Sequence, residues 1–207
     1  MKNLIATLLL CLISMGAPAK TVTIGIDLSG SNPLLSHKNF AHMASQYITV
    51  ELGKLKNGDI VRVKTFGARA DAVNLLNHSF KISSRVKPKK IAHIITQYLQ
   101  SLPEQKDLSQ SATNLIAWLE FTSGFDCTEN STILVITDGL ESSSYVDGLS
   151  LLKGKKGLPE ADVDLKGCAI TFYGLGAGWP AHSVKFVRNE WRQWSEKAGA
   201  SFTAIIP

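Results

Sequence analysis

The chain lacks the marks of several protein classes. It has three cysteines, and one of them, Cys11, lies in an apolar amino-terminal stretch, leaving Cys127 and Cys168. Two are too few for a disulfide-dense mini-domain, and without histidine at ligand spacing they do not make a zinc centre. The five histidines are scattered without an acidic companion, and none is given a role. Glycine (16) and proline (7) follow no triplet period, which excludes a collagen-like chain. Charge of either sign is sparse: 22 Lys+Arg stand against 17 Asp+Glu, a formal +5 spread along the sequence. That balance permits contact with anionic surfaces, and no nucleic-acid role is expected from it. Beyond the leader no apolar run is long enough to cross a membrane. What remains is a hydrophobic fraction of 44% in 207 residues, the composition and length of one globular domain with a short appendage.

That appendage is residues 1–19, MKNLIATLLLCLISMGAPA. Lys2 supplies a positive start and Leu4 to Met15 an apolar run too short for a membrane span. Ala17-Pro18-Ala19 is a small-x-small cleavage signal. The stretch reads as a secretory signal peptide cut after Ala19, so the mature chain, 20–207, is expected to be periplasmic or secreted in a bacterial setting. A lipoprotein reading through Cys11 fits less well, because Leu8-Leu9-Leu10 is bulky where a lipidation signal needs a small residue. In an exported protein the even pair Cys127 and Cys168 suggests one disulfide. Two separately buried thiols are the alternative.

Along the mature chain, short β-branched runs alternate with helical stripes. Val22–Ile26, Ile60–Phe66, Thr132–Thr137, Cys168–Tyr173 and Phe202–Ile206 read as strands. Residues 71–84 are ambiguous, with edge strands expected near 72–76 and 80–82. Helices are expected from Phe40 to Leu55, stopped by Asn57-Gly58, then from Pro88, over Thr113–Phe121, and around Val184–Ala198. Residues 141–167 read as a long polar surface excursion. Strands alternating with helices, and apolar throughout at the centre, predict a single α/β domain. It is a doubly wound, mostly parallel central sheet with helices on both faces. Ligands bind such sheets beyond the carboxyl ends of the strands, where the strand order reverses.

Two strands end in aspartate, Ile26-Asp27 and Thr137-Asp138, so both acids are expected in one crevice. After Asp27 come hydroxyls at Ser29 and Ser31, with Gly30 expected to ease the turn by tolerating positive φ. Thr113, in Ser111-Ala112-Thr113-Asn114, adds another hydroxyl from the loop leading into the third helix. An all-oxygen set suits a hard divalent cation, Mg²⁺ first, with Mn²⁺ or Ca²⁺ as alternatives. Only two of the five donors are ionised, so a bound ion would keep positive character and attract an external carboxylate.

Asp27-x-Ser29-x-Ser31, Thr113 in an S-A-T-N helix start, and Asp138 in ITDG resemble the metal-ion-dependent adhesion site of the von Willebrand factor type A (vWA) domain. The likeness extends to Gly58–Gly67 and Cys168–Gly176 and so spans nearly all of the mature chain. It implies the Rossmann-like vWA fold. It also implies metal contacts from Ser29, Ser31 and Thr113, with Asp27 and Asp138 binding directly or through water. The implied partner is a protein offering a Glu or Asp side chain to the ion. This sequence departs from the family at Asn32-Pro33, where many members have a hydrophobic residue. No apolar segment follows the last expected strand, so a surface-tethered role is not expected. The topology would also bring Cys127 and Cys168 to the end of the sheet away from the metal.

Other readings compete. The two aspartates are also good helix N-caps. A Mg²⁺-dependent hydrolase with Asp27 as nucleophile would need a second acid two residues on, and that position is Ser29. A Ser29 nucleophile lacks a positioned base, so no catalytic role is expected. A metal-independent structural subunit of an envelope assembly is the main alternative. The basic run Arg85–Lys90 reads as a solvated helix start. Trp191 and Trp194 fall on a helical stripe and read as core, whereas Trp179-Pro180 is expected in a loop.

Overall fold

The computed structural model describes residues 19–68, 76–122 and 127–207. The leader, 1–18, and nearly all of the edge strand expected at 72–76 lie outside the described residues. Six strands form one sheet: β1 (Thr21–Asp27), β2 (Ile60–Phe66), β3 (Asn77–Lys81), β4 (Ser131–Ile136), β5 (Cys168–Tyr173) and β6 (Ser201–Ile205). Their order is β3-β2-β1-β4-β5-β6, with only β3 antiparallel to its neighbour. This is the expected α/β doubly wound architecture. From β1 the chain builds outward to β2 and β3, then returns to β1's other side with β4. The order therefore reverses between β1 and β4, which opens a crevice at their carboxyl ends.

Period-two alternation sends neighbouring residues of the central strands into two separate cores. Val22, Ile24 and Ile26 of β1, with Leu134 and Ile136 of β4, pack on one side against α1 (Lys38–Gly53) and α2 (Pro88–Ser101). On the other side Ile133 and Val135 join Ile170 and Phe172 under α3 (Leu115–Thr122), α4 (Gly148–Leu152) and α5 (Ala181–Lys197). Trp191 and Trp194 belong to this second core, edge-on to one another at 5.7 Å. Gly25 lets the Trp118 ring of α3 lie directly on β1, since a Cβ there would stand 2.5 Å from the ring. Trp118 in turn stacks on Phe66 at 4.9 Å.

Several boundaries differ from the sequence reading. α1 ends at Gly53, and Asn57-Gly58 instead forms the turn into β2, with Gly58 at φ 97°. β6 lies one residue earlier than expected. The segment 141–167 is not a mere surface excursion. Val146, Leu151, Leu152 and Leu165 are buried in the second core, and Glu141 is fully buried. Its spaced apolar residues act as separate anchors, too far apart to show a period.

Cys127 and Cys168 are joined, with sulfurs 2.00 Å and Cα atoms 5.0 Å apart. Cys168 opens β5 and pairs in register with Ser131, the first residue of β4. The bridge thus closes the amino end of the sheet, opposite the β1–β4 crevice, and excludes separate thiols.

Candidate functional site

Asp27 is the last residue of β1 and Asp138 lies two past the end of β4, so the crevice receives both acids. They are 0% and 1% exposed. Asp27 Oδ1 accepts the Ser29 backbone N–H at 2.8 Å, and Oδ2 accepts the Thr137 hydroxyl at 2.7 Å. Asp138 Oδ1 accepts the Leu140 N–H at 2.9 Å, and Oδ2 accepts the Trp179 indole N–H at 3.2 Å. Ser31 Oγ is 3.3 Å from Ser29 Oγ, and the Ser31 hydroxyl acts on Asp138 in the direction that favours its charged form. Asp27, Ser29, Ser31 and Asp138 are therefore linked in one polar cluster.

The backbone beneath the cluster is tightly fixed. Asn32, fully buried, donates to the carbonyls of Asp27 at 2.9 Å and Ile136 at 3.3 Å, tying the tips of β1 and β4 together. Its Oδ1 accepts the Leu34 N–H and so caps the short 3₁₀ turn Pro33–Leu35. The departure at Asn32 thus has a structural use at the crevice. The β1 loop is clamped from the other side, where Gly30 N–H donates to the Gln110 carbonyl at 2.8 Å and Gln110 N–H to Leu28 at 2.9 Å. Gly30 does not adopt positive φ, contrary to expectation. A Cβ there would stand 2.9 Å from Ser109 Oγ, a contact that rotation of that hydroxyl would relieve.

Thr113 lies ahead of α3, which begins at Leu115 rather than at Thr113 as expected. Thr113 is held extended by a bridge to Ser142, with N–H to carbonyl distances of 3.0 Å both ways. Glu141 Oε2 accepts the N–H groups of Leu115 and Ile116 at 2.8 and 3.0 Å, satisfying two of the free donors at the start of α3. Its Oε1 has no hydrogen-bond partner among the described residues. Ser29, Ser31 and Thr113 line one cleft of about 450 Å³, together with Ser109, Ser111 and Ser142. Among the described residues no charged side chain lines it. Of the five residues singled out from the sequence, Ser29, Ser31 and Thr113 line this cleft, and Asp27 and Asp138 lie at the adjoining strand ends without lining it.

The electrostatics are unusual. Burial, then the nearby charge of Asp138, pushes Asp27 up to about 7, against the Thr137 and Ser29 donors. Burial also raises Asp138, and it lifts Glu141 to about 7, outweighing the Ser143 hydroxyl and the two backbone donors. No lysine or arginine of the described residues is among the main groups acting on Asp27 or Asp138. Two buried acids side by side without a cation resist joint ionisation. A divalent ion among these all-oxygen donors would supply the missing positive charge, so the residues fit such an ion chemically.

Asn32 was marked in the sequence only as a departure at the loop, and Gln110, Thr137 and Glu141 were not singled out as site residues. Only Thr137, adjacent to Asp138 and ending an apolar run, carried a local signal. Comparison with models of known protein families finds no match to the chain, and neither does comparison with curated proteins.

Proposed function

We propose that this chain is an exported vWA-type binding module that holds a divalent cation, Mg²⁺ first, at the β1–β4 rim and grips an acidic group of a protein partner through it. The observation that supports the reading is the gathering of Asp27, Ser29, Ser31 and Asp138 near one another, beside a hydroxyl-lined cleft that Ser29, Ser31 and Thr113 share. Ser29, Ser31 and Thr113 would hold the ion, with Asp27 and Asp138 acting directly or through water. The ion would offer the partner's carboxylate a strong positive charge in a cleft whose described lining carries none. Export agrees with the leader and with a disulfide, which persists in oxidising compartments. Among the described residues no helix is long and apolar enough to cross a membrane.

Calorimetric titration of the mature protein with Mg²⁺ and with Mn²⁺ tests this. Wild type is expected to bind, and Asp27→Asn to lose roughly 100-fold or more in affinity, at least the upper cost of losing an outer-shell partner. The second reading is a scaffold that needs no metal. It draws support from the four carboxylate oxygens of Asp27 and Asp138, each of which already accepts a hydrogen bond from the chain itself. Absence of heat with either ion would favour that scaffold.

A further inference from the structure

Three of the four tryptophans are core residues: Trp118, Trp191 and Trp194 are each 5% exposed or less. Trp179 differs. It is only partly buried, in the loop between β5 and α5, and its single donor is spent on the buried carboxylate of Asp138. The loop carrying it is tied to the same segment by its backbone, with Gly176 N–H donating to the Asp138 carbonyl at 2.7 Å. Behind it, Trp191 of α5 donates to the Gly139 carbonyl at 2.7 Å. The Trp179 ring, with Leu140, Leu152, Val184 and Val187, also encloses a small apolar space against Asp138. Leu140 N–H restrains Oδ1 from one side, and the indole restrains Oδ2 from the other.

We propose that Trp179 is a positioning residue for the cation site: its indole N–H fixes the orientation of the Asp138 carboxylate while its ring keeps water from one side of it. The inference rests on the cation reading above and adds to it a residue outside the ligand set. A carboxylate held by two opposed donors loses little freedom when it meets an ion. Losing one donor restores that freedom and lowers affinity, as outer-shell partners of metal ligands generally do.

The test compares wild type, Trp179→Phe and Trp179→His by Mg²⁺ titration at about pH 8, where an imidazole is neutral. Phenylalanine keeps an apolar ring without a donor. In histidine, Nε2 is as many bonds from Cγ as the indole nitrogen, so it can restore the N–H. Trp179→Phe is expected to bind roughly 10-fold or more weakly, with Trp179→His recovering most of the loss. Wild-type indole emission should shift on adding Mg²⁺, and the shift should vanish in Trp179→Phe, whose remaining tryptophans are buried. Circular dichroism confirms that each variant folds. Unchanged affinity in Trp179→Phe, or equal loss in both variants, overturns the positioning role and leaves the cation reading standing. A wild type that takes up no Mg²⁺ overturns both.

Discussion

At its amino end the sheet closes with a covalent bond, Cys127 to Cys168, across the starts of β4 and β5. At its carboxyl end, where β1 and β4 part, the chain instead crowds the carboxylates of Asp27 and Asp138, with Glu141 buried behind Thr113. The first end is held by a bond that a reductant would cut. The second crowds acids whose burial raises their pKa. The two ends can therefore be perturbed by different agents.

Acidity should act on the carboxyl end with the largest effect. Burial pushes Asp27 from 3.8, and Glu141 from 4.5, up to about 7 in the folded chain. The folded state therefore holds these protons more tightly than the unfolded state does. The stability they contribute is full below about pH 4 and lost as the pH rises through about 7, an effect of the order of several kcal/mol. Urea denaturation in chelator across that window should show stability falling with pH. Asp27→Asn should flatten the slope, and Mg²⁺ should restore stability at the upper end. A stability that rises over the same range would contradict the assignment.

Next in size is the amino end. Reduction, or Cys127→Ser with Cys168→Ser, is expected to remove about 2–4 kcal/mol of stability, because the bridge closes a loop spanning 41 residues. Mg²⁺ affinity should be unchanged, as measured by calorimetry on the reduced protein. A large drop in affinity would show that the two ends are coupled.

The smallest of these effects falls between the ends. Glu141→Ala leaves two buried N–H groups at the start of α3 without their acceptor, an expected cost of about 1–3 kcal/mol. It should also loosen Thr113 and weaken cation binding, whereas Glu141→Gln keeps an acceptor oxygen and should do neither. Thermal melting paired with Mg²⁺ titration separates the two variants.

The fold was legible in sequence where one face or one core dictates the pattern. β1 and β4 are almost wholly buried and read as near-continuous apolar runs, and the aspartates at or just past their ends, Asp27 and Asp138, could be placed at the rim from strand direction alone. Glu141 and Asn32 were not legible as site residues, because their roles are long-range. Glu141 reaches the start of α3 about 26 positions back, and Asn32 joins β1 to a carbonyl 104 positions on. Nothing local marks an acid as a helix cap for another element, or an amide as a strand tie. Gly30 shows the opposite error: its place in the loop was legible, but it does not use the positive φ expected of it.

Gly25 sits in mid-strand, well below the crevice, yet it bears on how closely α3 approaches β1. Because it has no side chain, the indole of Trp118 rests on β1 itself, and α3 settles as low as a helix can over this strand. Thr113, just ahead of that helix, is thereby brought down beside Ser29 and Ser31. Even a methyl group at position 25 would act as a wedge under α3, pushing it away from β1 at a point well below the cleft's hydroxyls.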